Sequence, residues 1–413
     1  MNYFPKNSSE RNMYLSIQTA FQANSNSLNA EMIRFYLRGR YIDQFMKDRS
    51  LARMKANNRL GGEFITEVSF VHTPEKMFGT TGWSWYAGLK SRWMFGAEFS
   101  KDAYQLGFYG NAPFAGSTLQ IGKLKADYLA YQQISAGFIR TIQSNSNAHQ
   151  IGFALSYVNG NSFFSTSTDR ASLYTDSLGQ NLKLDLNGQF AQNDPSKQRF
   201  AYPNGMGAGL DFFYNASFKN GKHSISVQAT DIGFIRWSDF GTSNSLDTSI
   251  QFSGIQVPHV FNLNEQFFTG LSDSVRTIFD NTRSTGNRIS MLPGTISVAY
   301  TWQAIPSKLF IMPNFQMKFF TGYAPRAGLN IIGYPYDKIM MCGKFTYGGF
   351  GGFNVGADLG FDLGKGWMFT AGTQTIDGFF FERVNSGLSG NVGLVKWFNP
   401  LKSKKGAGKS VAK

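Results

Sequence analysis

The stretch from Gly205 to Trp237 alternates. In its first arm Leu210, Phe212, Tyr214, Ala216 and Phe218 fall on one face. Gly209, Asp211, Asn215 and Ser217 fall on the other, with Phe213 as the exception. In the second arm Ile225, Val227 and Ala229 alternate with Ser224, Ser226, Gln228 and Thr230. A period of two means strands, and Asn220-Gly221 between the arms is a hairpin turn. Each strand has one greasy face and one small or polar face. The greasy face must therefore meet either a second sheet or lipid.

Composition bears on that choice. Charged residues make up 16% of the 413, and aromatics another 16%, with 40 Phe and 45 Gly. Yet mean hydropathy is negative. No run approaches eighteen apolar residues, so no transmembrane helix is expected. Low charge with many aromatics and glycines fits strands that give half their residues to lipid and half to a polar lumen. No repeat of fixed period suggests a solenoid or propeller instead. Three further features favour lipid: strands of ten or more residues, short turns alternating with long loops, and Trp or Tyr near strand ends.

In chain order, Met13 to Ala23 reads as a weak first strand in an N-terminal segment of residues 1–28. Residues 29–57 change to helical spacing, with Met32, Phe35, Tyr36, Ile42, Phe45 and Met46 recurring among basic residues and Asn29 placed to cap the start. This predicts one amphipathic basic helix. It either covers one end of the sheet or plugs a lumen or docks a partner through Arg34, Arg38 and Arg40. Residues 58–399 read as the barrel. Trp83 to Phe99 is a long aromatic strand whose other face carries Ser84, Tyr86, Gly88, Lys90 and Arg92. Residues 255–290 read as a loop insertion, helical from Asn264 to Asp280. Phe353 to Leu363 alternates without error. Residues 400–413 are a basic tail, disordered by composition.

The net charge of +14 lies partly in the helical stretch and the last dozen residues. The charge is either a basic surface without a partner or a contact with anionic lipid or another polyanion, and its distribution argues against a single nucleic-acid groove. The start, Met1 to Lys6, lacks the charged head and apolar core of a signal peptide. An outer-membrane location therefore implies a mature, trimmed or mis-started sequence.

Catalytic chemistry is not visible. His72, His149, His223 and His259 are not at metal-ligand spacing, and Cys342 is the one cysteine. No catalytic, metal or cofactor site is expected. Asp211, Asp231, Asp358 and Asp362 should face the lumen if their apolar neighbours face lipid, with Arg236 and the helix arginines offered as partners. Asp231-Ile232-Gly233 breaks the period, and a β-bulge kinked at Gly233 explains it. Trp237 lies just beyond.

Gly207-Ala208-Gly209-Leu210-Asp211, followed by Thr230-Asp231-Ile232-Gly233-Phe234-Ile235-Arg236-Trp237, resembles the paired signature of a Bacteroidota outer-membrane barrel family of unknown function. Ser253-Gly254-Ile255, Leu271-Ser272-Asp273 and Met291-Leu292-Pro293-Gly294 fit it too, and the likeness covers about Trp83 to Phe398. That family is similar to fatty-acid-transporter-like and type IX secretion-associated barrels. It carries no catalytic residues to transfer.

The resulting expectation is an all-β fold, a single antiparallel transmembrane β-barrel of about fourteen strands, in a bacterial outer membrane. It is read as non-enzymatic and transporter-like, passing or holding a small ligand, a hydrophobic one included. The first alternative is an accessory subunit of an outer-membrane secretion or assembly machine. The second is a membrane-embedded hydrolase. The expected partners are outer-membrane lipids and other outer-membrane or periplasmic proteins, with no nucleic acid.

Overall fold

The structure, a computed structural model, describes residues 12–144, 146–193, 204–237, 242–253, 283–286, 288–381 and 387–398. Its strands are β1 (Met13–Ser25), β2 (Asn58–His72), β3 (Trp83–Phe99), β4 (Ser117–Leu119), β5 (Lys125–Ser144), β6 (Asn147–Thr175) and β7 (Asn181–Gln192). They continue with β8 (Gly205–Phe218), β9 (His223–Trp237), β10 (Thr242–Ser253), β11 (Arg283–Thr285), β12 (Arg288–Met291) and β13 (Thr295–Ile305). The last are β14 (Leu309–Lys318), β15 (Ala324–Tyr336), β16 (Ile339–Gly349), β17 (Phe353–Gly364), β18 (Trp367–Thr373) and β19 (Gly387–Phe398).

Fourteen of these strands close an antiparallel barrel, as the alternation predicts. The order runs β1, β2, β3, β5, β6, β8, β9, then β13 through β19, which returns to β1 with Met13 opposite Phe398. Closure leaves no strand edge, the condition for crossing hydrocarbon. β1 is thus part of the wall, which begins at Met13 rather than at residue 58.

The side chains are arranged inside out. Leu155 is 64% exposed, and Phe153, Phe212, Leu89, Ile134 and Leu359 are also exposed. Arg92, Gln133, Ser135, Ser156, Lys318 and Asp358 are buried. Each large apolar side chain left in water forfeits about 1.5–3 kcal/mol. A continuous outward band of them therefore requires a lipid neighbour.

The two ends differ. At one, two to four residues join β5 to β6, β8 to β9, β13 to β14, β15 to β16 and β17 to β18, the ends of β1 and β19 lie there too, and residues 73–82 between β2 and β3 are its one longer link among the described residues. The other end carries the long connections. There α1 (Ala30–Leu37) and α2 (Gln44–Ala52) pack on α3 (Lys101–Tyr109) through Met32, Ile33, Leu51, Tyr104 and Phe108. The single helix expected over residues 29–57 is two. Asn29 caps α1 by accepting from Met32 N–H (2.7 Å). Gly39, at φ +61°, ends it, and Asp43 opens α2 by accepting from Met46 N–H (2.8 Å). The expected helical segment Asn264 to Asp280 and the 400–413 tail lie outside the described residues.

β6 has 29 residues, where a spanning strand needs about 9–11. Its first part pairs with β8, and its second, from Phe164 to Thr175, pairs with β7. β7 pairs in turn with β10, and β4 pairs with the end of β6. These strands stand beyond the barrel at the long-loop end.

Two connections at that end fold inward instead, and both land on glycine. A Cβ on Gly96 of β3 would fall on the carbonyl oxygen of Thr321, in the β14–β15 turn. A Cβ on Gly61 of β2 would enter the ring of Phe350, in the β16–β17 turn. Gly96→Ala meets backbone, so it should cost about 1–3 kcal/mol or more. Gly343→Ala, whose Cβ meets nothing within 4 Å, should leave stability unchanged or raised. Denaturant midpoints of the folded barrel in detergent check both outcomes.

Candidate functional site

The bulge in β9 is real, and its centre is Asp231. Leu210 pairs with Ile232 and Phe212 with Ala229, so Thr230 and Asp231 together oppose Asp211. Asp231 takes the left-handed conformation at φ +57°, which an aspartate tolerates better than most residues. Its N–H donates to Asp211 Oδ1 (2.7 Å), and its carboxylate turns into the lumen, 1% exposed. Gly233 lies in the extended continuation of β9. A Cβ there would strike the backbone of Ala208 and Gly209, so close strand approach explains that glycine.

Asp231 anchors an ion network across the barrel. Arg92 of β3 donates to Asp231 Oδ2 (2.6 Å) and forms an ion pair with Glu63 Oε1 of β2 (2.7 Å). Lys90 of β3 donates to Asp231 Oδ1 (3.0 Å). Lys318, the last residue of β14, donates to Glu63 Oε2 (2.5 Å), which also accepts from Gln22 of β1 (3.1 Å). Arg92 reaches the Tyr131 hydroxyl as well (3.3 Å). Three cations thus face three carboxylates, Glu63, Asp211 and Asp231. β2 and β14 are seven strands apart in either direction round the fourteen. A round barrel of that size has a circumference of roughly 90 Å, too wide for one Lys–Glu pair to cross. The wall is therefore drawn in, and the interior is bridged by buried side chains where Glu63 meets Lys318.

Beside this network the wall itself is interrupted. Leu292, Pro293 and Gly294 separate β12 from β13 opposite the bulge, with Leu292 N–H donating to Gly233 O (2.9 Å). Among the described residues β12 has a ladder partner on one side only, β9. On its other side β14 has already ended, Phe319 stays exposed, and Phe320 and Thr321 turn inward. A cavity of about 420 Å3 lies here. Tyr128, Leu129, Phe163, Phe164, Met291 and Phe320 supply its apolar lining, and Asp127, Arg288 and Thr321 supply polar groups. Asp127 accepts a hydrogen bond from the Thr321 hydroxyl. Phe163 packs against buried Trp237 (ring centroids 4.6 Å apart), whose Nε1 donates to Ser290 Oγ (2.8 Å).

The other expected positions scatter. Asp358 is buried but pairs with Lys344 on the neighbouring strand (2.5 Å). Asp362 accepts from Gly364 N–H (2.9 Å) in the β17–β18 turn. Arg236 is not luminal: it shares the exposed outward face of Ile232 and Phe234. The bulge advances the parity by one, so Arg236 goes out and Trp237 goes in. Arg38 and Arg40 are exposed on the helical cap, Arg34 is half-buried there, and the carboxylates take Lys90, Arg92 and Lys318 instead. His149 and His223 bond the hydroxyls of Tyr214 (2.9 Å) and Tyr300 (2.7 Å) rather than a serine, and His259 lies outside the described residues.

Glu63, Lys90, Arg92, Lys318 and the aromatic cavity were not singled out from the sequence. Lys90 and Arg92 do stand on the polar face of their strand, and that was the available signal. Arg92→Met leaves Glu63 and Asp231 short of a buried partner and should destabilise the barrel by about 3–5 kcal/mol. Arg236→Gln should stay within about 0.5 kcal/mol of the parent. Urea titration of both variants in lipid vesicles measures the contrast.

No curated protein matches the sequence. Solved structures with a similar course include a deltaS2S3 mutant of the TodX monoaromatic hydrocarbon channel, at 7% identity and TM-score 0.48, covering 95% of this chain and 91% of that one. The Ralstonia pickettii toluene transporter TbuX aligns at 9% identity and TM-score 0.44, covering 94% and 90%. A Pseudomonas aeruginosa FadL homologue aligns at 10% identity and TM-score 0.40, covering 94% and 89%. A model for a family of unknown function, DUF5723, matches residues 5–372, and the chain belongs to that family.

Proposed function

We propose that this is an outer-membrane barrel that takes a small, largely apolar molecule into the cavity at the β12–β13 break. It does not conduct solutes along its axis. The observation that carries this reading is the position of the cavity. It lies at an interruption of a lipid-facing wall, and it is lined by aromatics with a few polar groups, as small-molecule sites are. Its volume of about 420 Å3 suits a molecule of one or two rings or a short chain. The Glu63–Lys318 and Arg92–Asp231 pairs that cross the interior beside it support a blocked axis.

A second reading has its own support. The sheet formed by the end of β6 with β4, β7 and β10 stands clear of the wall. Such a surface suits docking of a protein partner in a larger assembly.

Two measurements test the first reading. Planar-bilayer recordings of the purified barrel should show no steady open-pore current, and a stable ohmic conductance would sink the closed-axis part. An apolar fluorophore such as N-phenylnaphthylamine should bind saturably to the detergent-solubilised protein and change Trp237 emission, identified by difference from Trp237→Phe. Ser165 also lines the cavity, and Ser165→Trp, which fills it, should reduce that binding at least tenfold. Equal binding by Ser165→Trp would overturn the assignment.

A further inference from the structure

A second cavity, of about 500 Å3, opens at the long-loop rim. Its floor is basic. Arg53 follows α2, Lys55 lies in the link to β2, and Arg59 is the second residue of β2; Asp377 at the start of α4 (Asp377–Phe380) is the one carboxylate among the described lining residues. The link is held rigidly. Buried Asn58 accepts from Lys55 N–H (2.8 Å) and donates to Lys55 O (2.9 Å) and Phe99 O (3.2 Å). Asn26 accepts from Arg59 N–H (2.7 Å) and donates to Asn57 O (3.0 Å). Arg59 donates to Gly351 O (3.3 Å), and its Nε has no partner among the described residues.

The outer lip is aromatic. Tyr347 and Phe353 are ladder partners at the top of β16 and β17. They continue the exposed outward columns of Met341 and Phe345 on one strand and Leu359 and Phe361 on the other. Exposed Phe381 joins them in the lining. Between lip and floor lies the Gly348-to-Gly352 turn. Its one side chain, Phe350, points inward onto Gly61, and a Cβ at Gly352 would meet only open space. A passage over bare backbone therefore joins a lipid-facing aromatic lip to fixed cations.

We infer that this rim cavity binds the phosphate head of a membrane lipid, with the acyl chains lying outside against Tyr347, Phe353 and Phe381. Among the described lining residues three cations stand against one carboxylate, a balance suited to a phosphate. The lip supplies apolar surface that a free anion would not use. In outer-membrane barrels long loops mark the outer face, which places the site at the outer leaflet. The inference needs only that the barrel stands in a bilayer, and it is independent of ligand binding at the wall cavity.

The full chain in detergent can be titrated calorimetrically with dioctanoyl phosphatidic acid, with dioctanoylglycerol and inorganic phosphate as separate arms. Saturable one-to-one binding of the phosphatidic acid is expected, with inorganic phosphate at least a hundredfold weaker and dioctanoylglycerol not competing. Lys55→Gln with Arg59→Gln should weaken binding at least tenfold. Gly352→Phe fills the passage without touching the charges and should do the same, which keeps the test decisive if the double variant fails to fold. Unchanged affinity in the folded variants overturns the site. Inorganic phosphate binding as tightly as the lipid makes it a free-phosphate site, and dioctanoylglycerol binding as tightly makes it merely apolar. Either outcome defeats the inference.

Discussion

The pairing of Arg92 with both Glu63 and Asp231 is the interaction on which the interior depends. A closed sheet of fourteen strands encloses more room than its own side chains fill. This chain occupies the room with polar residues, since its apolar ones are committed to lipid. Charges brought together out of water are tolerable only when every one is matched. Lys90, Arg92 and Lys318 pair with Glu63 and Asp231, Asp211 accepts the Asp231 N–H beside them, and Lys318 carries the match across to the opposite wall. The bulge at Asp231 exists in this sense for the network, because it turns a carboxylate inward at a point where β9 would otherwise alternate regularly. The same bulge lies opposite the β12–β13 break. The device that bridges the interior is therefore adjacent to the one that opens the wall.

Much of the fold could be read from the chain because membrane strands are locally coded. A period of two, a turn, and another period of two fix a hairpin with no knowledge of the rest. Strands such as β3 and β17 were delimited to within a residue or so. Where two local signals competed, the reading failed. The apolar spacing of residues 29–57 carries on past Gly39, but one glycine in the left-handed region outweighs it. Alternation in β6 and β7 says nothing of height, so their extension beyond the barrel had no signature.

The candidate site was less legible, for a physical reason. Parity places Asp211 and Asp231 inside, while the partners of the carboxylates come from strands far away in sequence. Arg92 and Asp231 are 139 positions apart. Nothing local distinguishes Lys90 and Arg92 from any polar-face residue. Arg236 is different. The parity change was visible in Ile232 and Phe234, and counting on from the bulge puts Arg236 with them on the outer face. The cavity was illegible outright, since it arises from the absence of β14 beside β12.

The seam between β1 and β19 joins Met13 to Phe398, nearly the two ends of the described chain, and Lys318 finds Glu63 across 255 positions. Contacts of such separation form late and slowly. While the nascent sheet is open, Glu63 and Arg92 on the paired strands β2 and β3 stand apart from Asp231 on β9 and Lys318 on β14, and each pair of strands keeps part of its hydration. The full set is neutralised only when the opposite walls come together. Zipping of the seam and discharge of the interior then become one event, so a barrel that stalls half-inserted is left with hydrated charges at its open edge. Completion of the cylinder is thereby made cooperative, and partly closed forms are disfavoured by the same residues that seal the finished one.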